Sequence, residues 1–138
     1  MSITTHLNTL KNRCDGITSI KTVVKRKRDF NPDELPAVAI YRGQTSVDEQ
    51  LSGSKIRLTV PLVVEYHKEA ATDDPATEAE AMVDAVLAAV EVGSWGDCET
   101  VFDQAGDDVT LPPDDGNVII VQVLFTVEVI RQFGGAAA

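Results

Sequence analysis

Glu65 and His67 are the two residues whose types and spacing come nearest to chemistry. On an extended strand, positions i and i+2 share a face, so this carboxylate and imidazole can offer two ligands to one cation. A metal centre needs at least a third, and no further ligand stands at a suitable spacing. The pair therefore reads as a surface pair. Asp107, Asp108, Asp114 and Asp115 suggest calcium. Their spacing is not that of an EF-hand, which alternates its ligands around a mid-loop glycine and ends on a distal glutamate. Turn chemistry accounts for these aspartates as well. Cys14 and Cys98 lack a C-x-x-C context and read as reduced thiols, although the sequence leaves a disulfide open. His6 reads as a surface or boundary histidine. Glycine-rich phosphate loops and a G-x-S-x-G elbow are absent from the sequence. Neither of the two histidines stands beside a plausible nucleophile. No enzymatic activity, cofactor or metal is expected from these residues.

Charge is more informative. The 138 residues carry a net charge of −10, which argues against a free-standing nucleic-acid binder, since that needs a basic face. An acidic bore that lets DNA slide through without holding it remains compatible with this balance. One basic cluster stands out, Lys25, Arg26, Lys27 and Arg28. It reads either as a solvated strand end that discourages stray pairing or as a docking patch for an acidic neighbour, another copy of this chain included. The length suits one domain, and a hydrophobic content of 43% is that of an ordinary globular protein. No apolar run approaches the roughly 20 residues that span a bilayer. The first ten residues lack the pattern of a secretory signal, so a product that folds in the cytoplasm before assembly is expected.

The elements that position these residues centre on 74–92. Ala79, Met82, Val83, Val86, Leu87 and Val90 fall at helical spacing and predict a helix with one buried face. Asp74 can cap it, Pro75 suits its first turn, and Gly93 supplies a stop. Residues 2–14 predict a shorter helix, capped by Ser2, with Ile3, Leu7, Leu10 and Cys14 on one side. Two long alternating runs, 55–68 and 118–131, predict strands. Pro61 marks an edge position or a bulge in the first. The second is apolar on both faces and belongs at the centre of a sheet or under a neighbouring subunit. Shorter strands are expected at 17–28, 37–42 and 99–104. Residues 43–54 read as a hairpin loop or an exposed arm, in which only Val47 and Leu51 are apolar, and 105–117 as an acidic loop. Trp95 is expected to close one end of the core, and 134–138 to form a frayed tail behind a domain spanning 1–133.

This order of elements, with R-L-T-V-P-L-V-V-E-Y-H, then D-P-A-T-E-A-E-A-M-V-D-A-V-L-A-A-V, then V-Q-V-L-F-T-V-E-V, resembles the tail terminator (minor tail protein U-like) family of long-tailed bacteriophages. The resemblance runs from about Ser2 to Phe133 and rests on element order, since the family has no invariant catalytic motif. It implies a compact α/β (α+β) domain with helices on a mixed, largely antiparallel sheet. It implies a structural virion protein at the head-proximal end of the tail. Its subunits form a ring, commonly a hexamer, that caps the tail tube, stops its growth and meets the head–tail connector, while DNA passes through the centre. Lys25, Arg26, Lys27, Arg28, Val47 and Leu51 are then the expected subunit or tube contacts. Two alternatives stay open: another neck or head–tail completion protein, and a small α/β ligand-binding protein or enzyme using Glu65, His67 and the acidic loop.

Overall fold

A computed structural model describes residues 3–51, 53, 55–91, 101–112 and 116–132, apart from the side chains of 48, 49 and 101–103. In chain order they form α1 (Ile3–Cys14), β1 (Thr22–Val24), a 3-10 turn (Pro32–Glu34), β2 (Ala37–Arg42), β3 (Ser46–Gln50), β4 (Lys55–Glu69), α2 (Pro75–Val90), β5 (Val101–Thr110) and β6 (Val118–Gln132). The strands make one six-stranded sheet in the order β1-β2-β4-β6-β5, with β3 also paired to β4. Only β1 and β2 run parallel, and the other pairs are antiparallel. The chain is thus a single α+β domain of two helices packed on a mixed sheet.

The spine is the pairing of β4 with β6, continuous from Lys55↔Gln132 to Glu69↔Val118. Strand alternation sets Val60, Leu62, Val64 and Tyr66 beside Val127, Phe125, Val123 and Val121 on one face. These residues are the floor of the core. The helices roof it. Ala79, Met82, Val83, Val86 and Val90 of α2 are buried against it, as are Ile3, Leu10 and Cys14 of α1. Each fully buried aliphatic side chain here contributes about 1.5–3 kcal/mol, which outweighs the weak strand and helix propensities of the surrounding polar residues.

The ends of α2 explain its register. The Asp74 carboxylate accepts from the Thr77 backbone N–H at 3.2 Å and from the Thr77 hydroxyl at 2.7 Å, satisfying donors that the first turn leaves free. These hydrogen bonds hold the Asp74 carboxyl below its ordinary range. At the other end Glu91 takes the left-handed conformation, φ 50°, and its N–H reaches Leu87 O at 3.1 Å. Arg13 of α1 donates to the Val90 and Glu91 carbonyls, so one guanidinium closes α2 and ties the helices together. Gly93, Trp95, Cys98, Ser2 and the 134–138 tail lie outside the described residues.

Pro61 sits in an interior strand, which its missing N–H would ordinarily forbid. Its backbone carbonyl faces the gap where β2 stops at Arg42↔Leu62 and β3 takes over at Ser46↔Thr59. There its carbonyl accepts from Gly43 N–H at 2.8 Å. The expected edge position is real, but it is local to one residue.

Four expected elements differ. The predicted strand over 17–28 shrinks to Thr22–Val24, because the parallel ladder to β2 ends at Val24↔Ala39 and Ser19 turns the chain at φ 65°. Within the predicted loop 43–54, Ser46–Gln50 is a strand paired to β4. Residues 101–104 of the predicted strand and 105–110 of the predicted acidic loop form one ten-residue strand, Val101–Thr110, paired to β6 at the edge of the sheet. A bulge between Gln104 and Gly106 absorbs the poor local fit. Gly106 adopts φ 139° there, a conformation costly for any residue with a Cβ.

Candidate functional site

Glu65 and His67 lie on the sheet face away from the helices, and both are buried, at 6% and 4% exposure. This corrects the expectation of a surface pair. The cover comes from side chains distant in sequence. Tyr41 on β2 and Gln122 on β6 flank Glu65, and Phe30, from the segment before the 3-10 turn, packs edge-on against the His67 ring with centroids 5.0 Å apart. The Glu65 carboxylate collects three donors. His67 Nε2 lies 2.7 Å from Oε1. The Tyr41 hydroxyl donates to Oε2 at 2.7 Å, and Gln122 Nε2 donates to it at 2.9 Å. A carboxylate only accepts, so His67 Nε2 carries the proton that faces it.

Burial alone would raise the Glu65 carboxyl. The hydrogen bonds from Gln122, Tyr41 and His67 outweigh that and hold it below its ordinary value. Burial and the neighbouring carboxylate push the Tyr41 phenol in the opposite direction, upward. The arrangement is an ionised carboxylate pinned by three strands. Among the described residues no three His, Cys, Asp or Glu side chains come together as a metal site.

The basic cluster lies over this polar group. Lys27 Nζ stands 5.8 Å from the centre of the Tyr41 ring. Arg28 stacks on Phe30, its Cζ 4.8 Å from the ring centre, and pairs with Glu34. Hydrogen bonds from the Asn31 backbone and from Arg28 hold the Glu34 carboxyl low. Lys25 donates to Asn8 on α1. Arg26 is exposed and has no partner among the described residues. Sequence reasoning thus found the cluster and the Glu65–His67 pair separately, and missed Tyr41, Gln122 and Phe30, which join them. Only the strand register could have pointed to Gln122, which sits directly opposite Glu65.

Val47 and Leu51 lie elsewhere. Val47 pairs with Leu58 on β4, seven residues from Glu65, roughly 20 Å along the strand at ~3.3 Å per residue. Val47 is 64% exposed, whereas Leu51 is half-buried. The expected contact residues therefore make two surfaces, one at the β1 edge and one at the far end of β4.

His6 is 1% exposed, packed inside α1's buried side rather than at the boundary. Cys14 is buried and free. Burial, then the Asp15 charge, pushes its thiol up to about 12. In a Cys98→Ser variant, Cys14 should react with a thiol-specific disulfide reagent at pH 8 at least about a hundredfold more slowly than in the urea-unfolded chain, because the thiolate is the nucleophile. Equal rates would contradict its burial.

Between α2 and the turn after α1 lies an open groove of about 380 Å³ lined by Gly16, Ile17, Thr18, Tyr66, Ala85, Ala88 and Ala89. No helix among the described residues is long and apolar enough to cross a membrane. No family model matches this chain, and no curated protein matches its sequence.

Proposed function

We propose that this chain is a structural virion protein of a long-tailed bacteriophage, a tail terminator. Its copies form a ring, in that family commonly a hexamer, on the head-proximal end of the tail tube. The ring stops tube growth and presents a surface to the head–tail connector, and DNA passes through it without specific binding.

The observation that carries this reading is the end of the sheet beyond the core. The core floor runs from Tyr66 to Val60 on β4 and from Ile119 to Val127 on β6, with Leu58 buried and Val129 partly buried at its end. β4 and β6 continue past it, down to Lys55 and Gln132, with β3 alongside. This three-stranded extension carries Val47 at 64% exposure on one face and Ile130 at 48% on the other. An extended sheet with apolar residues on both faces suits a part that sits between neighbours. The acidic balance of the chain suits a bore that repels phosphate.

The test is to add the purified protein to polymerising tail-tube subunits. Tubes should stop lengthening, and electron micrographs should show density on one end only. Val47→Asp should weaken capping more than tenfold, since a lost valine contact and a desolvated charge together exceed about 1.4 kcal/mol, while the thermal midpoint stays within a degree or two. If wild-type protein leaves tube length unchanged and instead binds connector rings, the chain belongs to the neck rather than to the tube end. Binding to neither would sink the virion reading.

A further inference from the structure

We infer that copies of this chain join head to tail through opposite edges of their sheets, residues 25–28 beyond β1 of one copy meeting β5 of the next. This contact rests on the ring reading above for its biological setting, but its chemistry stands on the register of the sheet. Val24 pairs with Ala39, Ala39 with Glu65, Glu65 with Gln122, and Gln122 with Asp108. One row of residues therefore crosses five strands from edge to edge. The next row runs through Ile40, Val64 and Val123 to Asp107, and on the β1 side the ladder ends at Val24, directly before the basic residues. The basic cluster thus begins where the Val24 row meets one outer edge, and the acidic pair stands where these rows meet the other.

These charges are available. Arg26, Asp107 and Asp108 are exposed and have no partner among the described residues. Lys27 is held only over the Tyr41 ring. Lys25 and Arg28 are engaged within the chain, whereas Arg26 and Lys27 remain exposed. Both edges are also open in the backbone sense: among the described strands β1 pairs only with β2, and β5 only with β6. β1 has three residues and β5 has a bulge, features that discourage indiscriminate ladder extension and leave charge to select the partner. The occupant is a second copy of the chain. It offers the acidic edge, and the net charge of −10 disfavours a nucleic-acid strand. A contact between unlike surfaces repeats, and where the rotation closes it makes a ring.

The experiment measures association by sedimentation velocity from micromolar to millimolar protein, for wild type, for Arg26→Glu with Lys27→Glu, and for Asp107→Lys with Asp108→Lys. Each double variant alone brings like charges together and should associate at least tenfold more weakly, with its thermal midpoint unchanged. An equimolar mixture should return to within about threefold of wild type, because every contact in an alternating assembly again pairs opposite charges. The milder Arg26→Gln and Asp108→Asn should each weaken association about threefold and keep the test decisive if a reversal misfolds. Raised salt should weaken wild-type assembly. Variants that associate like wild type, a mixture that does not recover, or a wild type that stays monomeric throughout would each overturn the contact. Tube capping is scored separately: assembly that follows the charge-swap pattern but ignores tail tubes would sink the terminator reading and leave this interface standing.

Discussion

Phe125→Ala should lower the free energy of unfolding by about 4 kcal/mol, within the range for a fully buried phenylalanine cut to alanine. Phe125 is the largest fully buried side chain among the described residues, at 0% exposure. It stands mid-strand on β6, opposite Leu62 of β4 on one side and Gln104 of β5 on the other, on the face that α2 roofs. The sheet beneath cannot collapse into the void, because β4 and β6 are locked in register for their full length. The cavity therefore persists, and its cost adds to the lost transfer energy. Urea unfolding should show a lower midpoint with an unchanged slope, and the thermal midpoint should fall by roughly 10–15 °C for a domain of this size. Ile130→Ala, at 48% exposure on the other face, should change stability by less than about 0.5 kcal/mol. If the two variants behaved alike, the core would not lie on the helix-covered face.

Why Phe125 was visible in the sequence and other features were not comes down to where their partners are. The stripe from Ala79 to Val90 and the alternation in β4 and β6 are repeated local signals, each tied to burial on one face. They place α2 and the two long strands to within a residue or two at most ends. β5 carries no such signal. Its Gln104, Gly106, Asp107 and Asp108 are residues that isolated strands avoid, and only the ladder supplied by β6 makes them extended. β3 is hidden for the same reason, since β4 supplies its partner groups. The run over 17–28 fails in the other direction: apolar alternation was present, but β2 gives it only three paired positions.

The candidate site divides in the same way. The basic cluster is legible because charge is a property of composition. That its counterpart is Asp107 and Asp108 depends on the register of five strands, and in the sequence those aspartates read as turn residues. The burial of Glu65 is likewise illegible, because its partners Tyr41 and Gln122 lie 24 and 57 residues away.

That distant wiring makes Glu65 the other position where a single change should be felt strongly. Glu65→Leu should cost about 3 kcal/mol, the lower end for breaking one partner out of a buried charged network. Leucine fills most of the volume but leaves the Tyr41 hydroxyl, the Gln122 amide and His67 Nε2 competing for an acceptor that is gone, and unpaired buried donors cost about 1–3 kcal/mol each before relaxation. Glu65→Gln should cost less, about 1–2 kcal/mol: its carbonyl still accepts from Tyr41 and Gln122, and its amide can face His67 once that ring takes the other tautomer. The comparison becomes sharper with pH. The folded chain holds the Glu65 carboxyl below its ordinary value of 4.5, so the unfolded chain takes up the proton first as pH falls. The carboxylate's contribution is complete above that ordinary value and is lost as pH drops through the lower folded one. The stability gap between wild type and Glu65→Gln should therefore hold steady from neutral pH down to about 5 and close in more acidic solution. A gap that stayed constant to pH 3 would mean that the buried side chain is not ionised. The three strands would then be joined by a neutral acid, and the upward push on the Tyr41 phenol would lose its electrostatic part and keep only that of burial.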